Sequence, residues 1–304
     1  MEYGLAREVI GSRTFVPLAK QEFDGIADAK GALLLCLAIE ERFDLVVENF
    51  LEFEMALLES TLRDSVTTTE HQQAHAHRSL LNRRLGNLLS SARTYIDEAK
   101  AHVHRLVPSE FDAVKAAFAR EYDQRLGYRA MEALRNYVQH RGSPIAQVSY
   151  RAHFVQRSDS DCVAHTMEPR IRPSDFAQDG KFKAAVRREL QAIGEEVDLK
   201  PLEREYVEGL WAVHKEIRGW IAPLIGQWEG TMRDAQRRYE EASNQGEGTV
   251  GLVAARRQAD GSLSNQVAIV TDFNEHRRFL ERKNYNLDHL ADRYVSSETR
   301  VSKP

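Results

Sequence analysis

Leu134-Arg135-Asn136-Tyr137-Val138-Gln139-His140-Arg141-Gly142 closes a run of apolar residues at helical spacing. Tyr128, Met131, Leu134 and Val138 recur in steps of three and four, which puts them on one face of a helix. Gly142-Ser143-Pro144 ends that helix. Asn136 and His140 are one turn apart and share a face, and the long Arg135 side chain beside them can swing toward both. What the chain folds into depends on whether the residues before this helix end build a frame for it.

Working outward, three more helical stripes precede it. Ile39, Phe43, Val46, Phe50, Phe53 and Leu57 alternate steps of four and three, predicting a long helix over 32–64. Glu40, Glu41, Glu48, Glu52, Glu54 and Glu59 fill the remaining positions as a solvated face. Residues 65–69 break the pattern, and Thr67-Thr68-Thr69-Glu70 reads as a capping box for the next helix. Leu81, Leu85, Leu88, Ala92, Tyr95 and Ala99 carry that second helix to Leu106. Pro108 stops it, and Phe111, Val114, Phe118 and Tyr122 form a third, shorter stripe with a break expected at Gly127. Two long and two short helices joined by short loops predict an antiparallel four-helix bundle.

The flanks differ in character. Residues 1–31 read as an N-terminal arm, with Glu8-Val9-Ile10 and Thr14-Phe15-Val16-Pro17 as a short strand-turn-strand. Residues 147–156 alternate and are rich in aromatic and β-branched side chains, and 162–171 pair back on them as a hairpin around Ser158-Asp159-Ser160-Asp161. Residues 181–193 are helical. A long helix over 201–243 carries Tyr206, Leu210, Val213, Ile217, Trp220 and Leu224, with Pro223 expected to kink or end its first segment. A second hairpin, 249–255 with 266–271, turns at Asp260-Gly261, and Asp272 with Glu275 caps a last helix. The fold class is thus mainly α: a four-helix bundle over 32–145 and a mixed α+β extension with two small hairpins over 146–304. The distal helices are free to pack on the bundle.

Composition bounds the function. The chain has 304 residues, 42% of them hydrophobic, with 17 glycines and 8 prolines, which fits a helix-rich globular protein with a sizeable core. A net charge of -4 gives no overall attraction for nucleic acid, so any such site is a local patch. Cys36 and Cys162 make neither a disulfide framework nor a zinc cage and fit a reducing compartment. Residues 32–39 form the longest apolar run, too short for a bilayer, and no basic leader precedes it. A cytoplasmic protein without a membrane partner is expected.

Residues 125–157 are that local patch. Six arginines (125, 129, 135, 141, 151 and 157) face one acid, Glu132, a surplus of five positive charges. Guanidinium groups fork onto phosphates. Tyr128, Tyr137, Tyr150 and Phe154 offer rings for stacking bases. A histidine of near-neutral pKa can take the proton of a 2′-hydroxyl or return one to the leaving oxygen, and an arginine can steady the charge on the phosphate. RNA carries its own nucleophile, so no metal or cofactor is required. The bland alternative is an ordinary helix C-terminus, where cations complement the dipole and a histidine caps the last carbonyls.

Arg-Asn-x-x-x-His at the end of a helical bundle resembles the signature of the HEPN superfamily, whose active members are metal-independent ribonucleases. The resemblance covers 32–145, is specific at Arg135, Asn136 and His140, and is loose elsewhere. It implies His140 as the acid-base residue, Arg135 as the phosphate and transition-state contact, and Asn136 as an orienting group. Arg129, Arg141, Tyr137 and Arg151 are then the expected RNA contacts. It also implies a homodimer in which two copies of the motif form one cleft. A role as toxin or phage-defence effector, with a neutralising partner protein, is implied as well. Other members of the superfamily have lost catalysis and serve as binding or regulatory modules, and an unrelated helical scaffold is the third reading.

Other constellations carry less. His71 and His75 sit four apart at a helix start, a spacing able to grip zinc, but no glutamate follows the first, and a solvated helix end is expected. Glu-x-x-His pairs for a di-iron site are absent from the sequence. Gly246-Glu247-Gly248-Thr249-Val250-Gly251 follows a helix and opens a strand, the reverse of a dinucleotide fingerprint, and reads as a connection. Of Trp211, Trp220 and Trp228, Trp220 is expected in the core.

Overall fold

The stripes decide the helices. A computed structural model describes residues 2–9, 14–67, 70–156, 161–177, 179–180, 182–243, 248–293 and 295. It is mainly helical with two small antiparallel sheets. In chain order the elements are β1 (Glu2–Arg7), β2 (Phe15–Leu18), α1 (Lys20–Val66), α2 (His71–Leu106), α3 (Phe111–Gln124) and α4 (Leu126–His140). There follow β3 (Ile145–Gln156), β4 (Asp161–Ile171), α5 (Ala184–Ile193), β5 (Val197–Asp198), α6 (Leu199–Ala242), β6 (Leu252–Arg257), β7 (Leu263–Ala268) and α7 (Phe273–Lys283). Every residue of the first two predicted stripes, from Ile39 to Leu57 and from Leu81 to Ala99, is buried. Each large side chain so buried contributes about 1.5–3 kcal/mol.

The chain forms two compact units, and neither is a continuous stretch. One comprises Met1–Asp44, Asp97–Asp112 and Glu216–Tyr285; the other comprises Leu45–Ile96, Ala113–Lys215 and Asn286–Pro304. Each draws on both sides of the boundary expected near 145, because α1, α2 and α6 are long enough to serve both.

In the first unit a sheet ordered β2-β1-β6-β7 covers the early part of α1 and the later part of α6. Leu5, Phe23, Ile26, Leu33, Met232, Tyr239, Leu252 and Ile269 make its core. Of the expected N-terminal strand-turn-strand, the first strand is Glu2–Arg7 rather than 8–10 and pairs antiparallel with β2, while residues 10–13 lie outside the described residues; α1 begins at Lys20 rather than 32. Gly4 is required in β1: a Cβ there would lie 2.3 Å from Cζ of Phe15. The Phe15 ring also carries the Arg257 guanidinium 3.8 Å from its centroid.

In the second unit, side chains of α6 meet α4 and α2. Tyr206 on α6 meets Tyr128 on α4 edge to face at 4.9 Å. His214 Nδ1 lies 2.9 Å from the Tyr95 hydroxyl, and Tyr95 also meets Phe118 edge on. Gly127, expected as a break, instead sits in the first turn of α4. It is glycine because a Cβ would lie 2.3 Å from the Leu202 carbonyl oxygen of α6. Its amide donates to Glu205 Oε2 at 2.5 Å.

Other expectations shift in detail. The 147–156 and 162–171 hairpin forms as β3 and β4, with β5 added at the β4 edge, and 157–160 of its turn lie outside the described residues. β6 pairs β7 as the second hairpin. Thr68 and Thr69 of the capping box lie outside the described residues. Thr67 instead closes α1 by donating to the Arg63 carbonyl, and Glu70 N–H donates to the Gln73 side chain. Asp272 makes no side-chain cap for α7, since its own φ and ψ are already helical. α6 runs through Pro223. Pro223 and Gly219, four residues earlier, are both exposed, so water can take the carbonyl that proline leaves unbonded. Trp211 is buried, whereas Trp220 is half-buried. Gly246 and Glu247 of the glycine-rich stretch lie outside the described residues; Gly248 and Gly251 have positive φ in the turn leading into β6. Among the described residues no helix is long and apolar enough to cross a membrane.

Candidate functional site

α4 reaches the surface at its last turn because its stripe runs out. Met131 and Leu134 are fully buried, Val138 is half-buried, and Gln139, His140 and Arg141 are exposed. Arg141 N–H and Gly142 N–H both donate to the Tyr137 carbonyl, at 2.8 and 3.4 Å, and Gly142 takes φ of 145°. That turn sends the chain directly into β3. Asn82 on α2 fixes the junction: its Oδ1 accepts from Ile145 N–H at 3.0 Å and its Nδ2 donates to the Ile145 carbonyl at 3.2 Å.

Arg135 and Asn136 are half-buried on the same turn. Arg135 Nη1 donates to Asn136 Oδ1 at 3.1 Å, so the asparagine orients the guanidinium. Arg135 Nε is buried without a hydrogen-bond partner. His140, one turn beyond Asn136, ends α4 in solvent.

The rest of the arginine-rich stretch is less available than its sequence suggests. Arg129 bonds Glu189 Oε2 of α5 at 2.5 Å and the carbonyls of Tyr122 and Asp123. Arg125 lies between Glu121 and Glu208, at 2.8 and 3.1 Å. Arg151, still half exposed, faces Glu168 of β4 at 3.5 Å. Arg141 is exposed, and Arg157 lies outside the described residues. The carboxylates that neutralise 125, 129 and 151 all lie outside 125–157, which is why a local charge count missed them. Glu132, the one acid within, accepts from the Tyr206 hydroxyl at 2.8 Å.

The rings divide similarly. Tyr128 is in the core, where burial pushes its hydroxyl well above the ordinary tyrosine pKa. Tyr137 is edge on to Phe176 at 4.9 Å, and Phe176 stacks on Phe182. Tyr150 is held at 2.8 Å by His77 Nδ1, with burial raising its pKa to about 12. Phe154 is 84% exposed and the freest stacking ring of the four.

Sequence reasoning missed that the start of α2 flanks this region. Arg78 Nη1 donates to the Ala146 carbonyl at 3.0 Å, and His77 reaches Tyr150. No local pattern announces such a contact across more than 60 residues. His71 and His75 are exposed, with rings edge to face 4.6 Å apart. Among the described residues no group of three His, Cys, Asp or Glu side chains is placed to hold a metal ion. No protein-family model, curated protein or solved structure matches this chain.

Proposed function

We propose that the end of α4 is the active site of a metal-independent endoribonuclease of HEPN type. The observation that carries the reading is the contrast within one arginine-rich stretch. Arg125, Arg129 and Arg151 face carboxylates, whereas Arg135 is oriented by a neutral asparagine one turn from the exposed His140. A guanidinium whose charge no carboxylate cancels is suited to receive a phosphate.

In this reading Arg135 binds the scissile phosphate and Asn136 holds its fork in place. His140 takes the 2′-hydroxyl proton, or returns one to the 5′-oxygen as it leaves, giving a 2′,3′-cyclic phosphate. Arg141, with Arg151 as its exposure permits, steers the RNA backbone. Each copy supplies one Arg135 and one His140, so the family resemblance places two copies about one cleft as a homodimer. A toxin or phage-defence role with a neutralising protein partner belongs to the same reading.

The test is RNA incubated with the full chain in excess chelator. The expected result is cleavage leaving cyclic phosphate ends and reduced by about 10²–10⁴ in His140→Ala. Cleavage that requires a divalent ion, or that persists in His140→Ala, overturns the proposal. The pairing of Arg129 with Glu189 and of Arg151 with Glu168 favours a second reading, a non-catalytic binding module of the same fold. It predicts RNA held on a filter without cleavage and released by salt.

A further inference from the structure

The later part of α1 carries a second apolar stripe besides the buried one. Leu51, Met55, Leu58 and Leu62 repeat the steps of four, three and four. Leu51 and Leu58 each follow a buried neighbour, Phe50 and Leu57, and so point about 100° further round the helix. The four are 41, 55, 48 and 68% exposed. Single exposed leucines are ordinary, but four in register along one helix edge make a continuous apolar strip, and such strips mark contact surfaces. Leu51, Met55 and Leu58 also line a groove of about 400 Å³ with Met167 of β4, Leu290 and Val295, which widens the apolar surface beyond the helix edge. All of these residues belong to the second unit.

Two observations say what the stripe fits. The first is its symmetry. Alternating steps of four and three are the seam by which helices pair in coiled coils. The order four, three, four also reads the same in both directions. A second copy turned end for end about a two-fold axis between Met55 and Leu58 therefore sets Leu51 against Leu62 and Met55 against Leu58, each contact made twice. The second observation is the charge beside the seam. Glu52, Glu54 and Glu59 border it, and each already faces an arginine of its own chain: Arg84, Arg204 and Arg63. Carboxylates matched in this way let two identical surfaces approach without like-charge repulsion. The helix itself is already held by its buried stripe, so pairing requires no folding of a new element.

We propose that α1 is a self-association surface, on which two copies of this chain pair antiparallel along residues 51–62 across a two-fold axis. The inference does not rest on the ribonuclease reading, and it puts the contact on α1 rather than at the end of α4.

Sedimentation equilibrium of the full chain over a concentration series tests it. The apparent mass is expected to rise from 34.7 kDa toward twice that value. A seam this short belongs with the smaller interfaces, so the midpoint is expected at about micromolar concentration. Leu58→Glu puts a carboxylate into both central contacts and is expected to weaken the dimer about 100-fold or more. Its melting temperature, read where the parent is monomeric, is expected to stay unchanged because the position faces solvent. Leu62→Glu, at the most exposed of the four, is expected to act in the same direction. Mixing Met55→Lys with Leu58→Glu tests the direction of pairing. Antiparallel copies bring the two substituted positions face to face and leave the other central contact native, so the mixture is expected to associate about 10-fold more tightly than either variant alone. A chain that stays monomeric throughout overturns self-pairing and leaves the stripe to a foreign partner. A dimer undiminished in both Leu58→Glu and Leu62→Glu overturns the placement on α1. A mixture no tighter than its components overturns the antiparallel arrangement.

Discussion

Arg135 and Arg277 are both helical arginines with an unpartnered Nε, and the molecule treats them in opposite ways. Arg277 is buried and its two terminal nitrogens are each given a carboxylate. Arg135 is half-buried, and its hydrogen bond goes to a neutral amide on the neighbouring residue. A charge taken fully out of water must be paired, so Arg277 is part of how the first unit holds together. A charge left at the edge of a helix end needs no such partner. Its positive field is still available to a ligand. Glu203 supplies a third case: fully buried, with both carboxylate oxygens unpartnered, so burial pushes its pKa well above the usual glutamate range.

The largest effect is expected at Arg277. Arg277→Met keeps the stem and removes the guanidinium, leaving Glu229 buried with Arg278 as its remaining partner. Breaking a buried pair costs about 3–5 kcal/mol, and the retained arginine puts this variant near 3. Denaturant unfolding measures it. A loss below about 1 kcal/mol would show that the pairing is ornamental and that the contrast with Arg135 is empty.

Next is Glu203→Met, with the opposite sign. Burial, reinforced by the nearby Glu54 carboxylate and opposed by Arg204, holds Glu203 well above the ordinary glutamate pKa of 4.5. Below pH 4.5 the folded and unfolded chains are both protonated here, and the group adds no pH dependence. Above it the unfolded chain gives up the proton while the folded chain keeps it. Stability is therefore lost as pH rises toward the folded pKa. Methionine removes two unsatisfied oxygens at nearly the same volume. It should raise stability at pH 7 by about 1–2 kcal/mol and flatten its decline with pH. A variant less stable than the parent at pH 7 would mean that Glu203 has a partner when folded.

How much of this was legible in the sequence follows from the range of each interaction. The helices were readable because their stripes are local: Phe43, Phe53, Leu85 and Tyr95 are buried where period alone puts them. The hairpin of β3 and β4 was readable for the same reason. The pairing of β1 with β6 joins Leu5 to Ala254, and nothing in either segment names the other. Gly127 looked like a helix breaker because its reason, the Leu202 carbonyl, lies 75 residues away. The candidate site splits along the same line. Asn136 beside Arg135 and the exposure of His140 follow from one helix. The quenching of Arg129 by Glu189 and of Arg151 by Glu168 does not, so the patch read as more positive than it is. The buried Arg277 left one sequence trace, an arginine at core register in α7 between Asn274 and Leu280.

The smallest stability effect is expected at Arg135, and there the comparison is decided. Arg135→Ala removes no ion pair, since its one bond is to Asn136. It also removes a buried Nε that had no acceptor. Unfolding free energy should then stay within about 0.5 kcal/mol of the parent, the range for substitutions that break no network. RNA retention should nevertheless weaken, and the slope of log affinity against log salt should fall by about one, the signature of one lost phosphate contact. The two readouts separate the roles. Stability lost with the salt slope unchanged would make Arg135 a structural arginine like Arg277. Stability kept with the slope reduced would leave the end of α4 as a place where the fold holds a cation ready for phosphate.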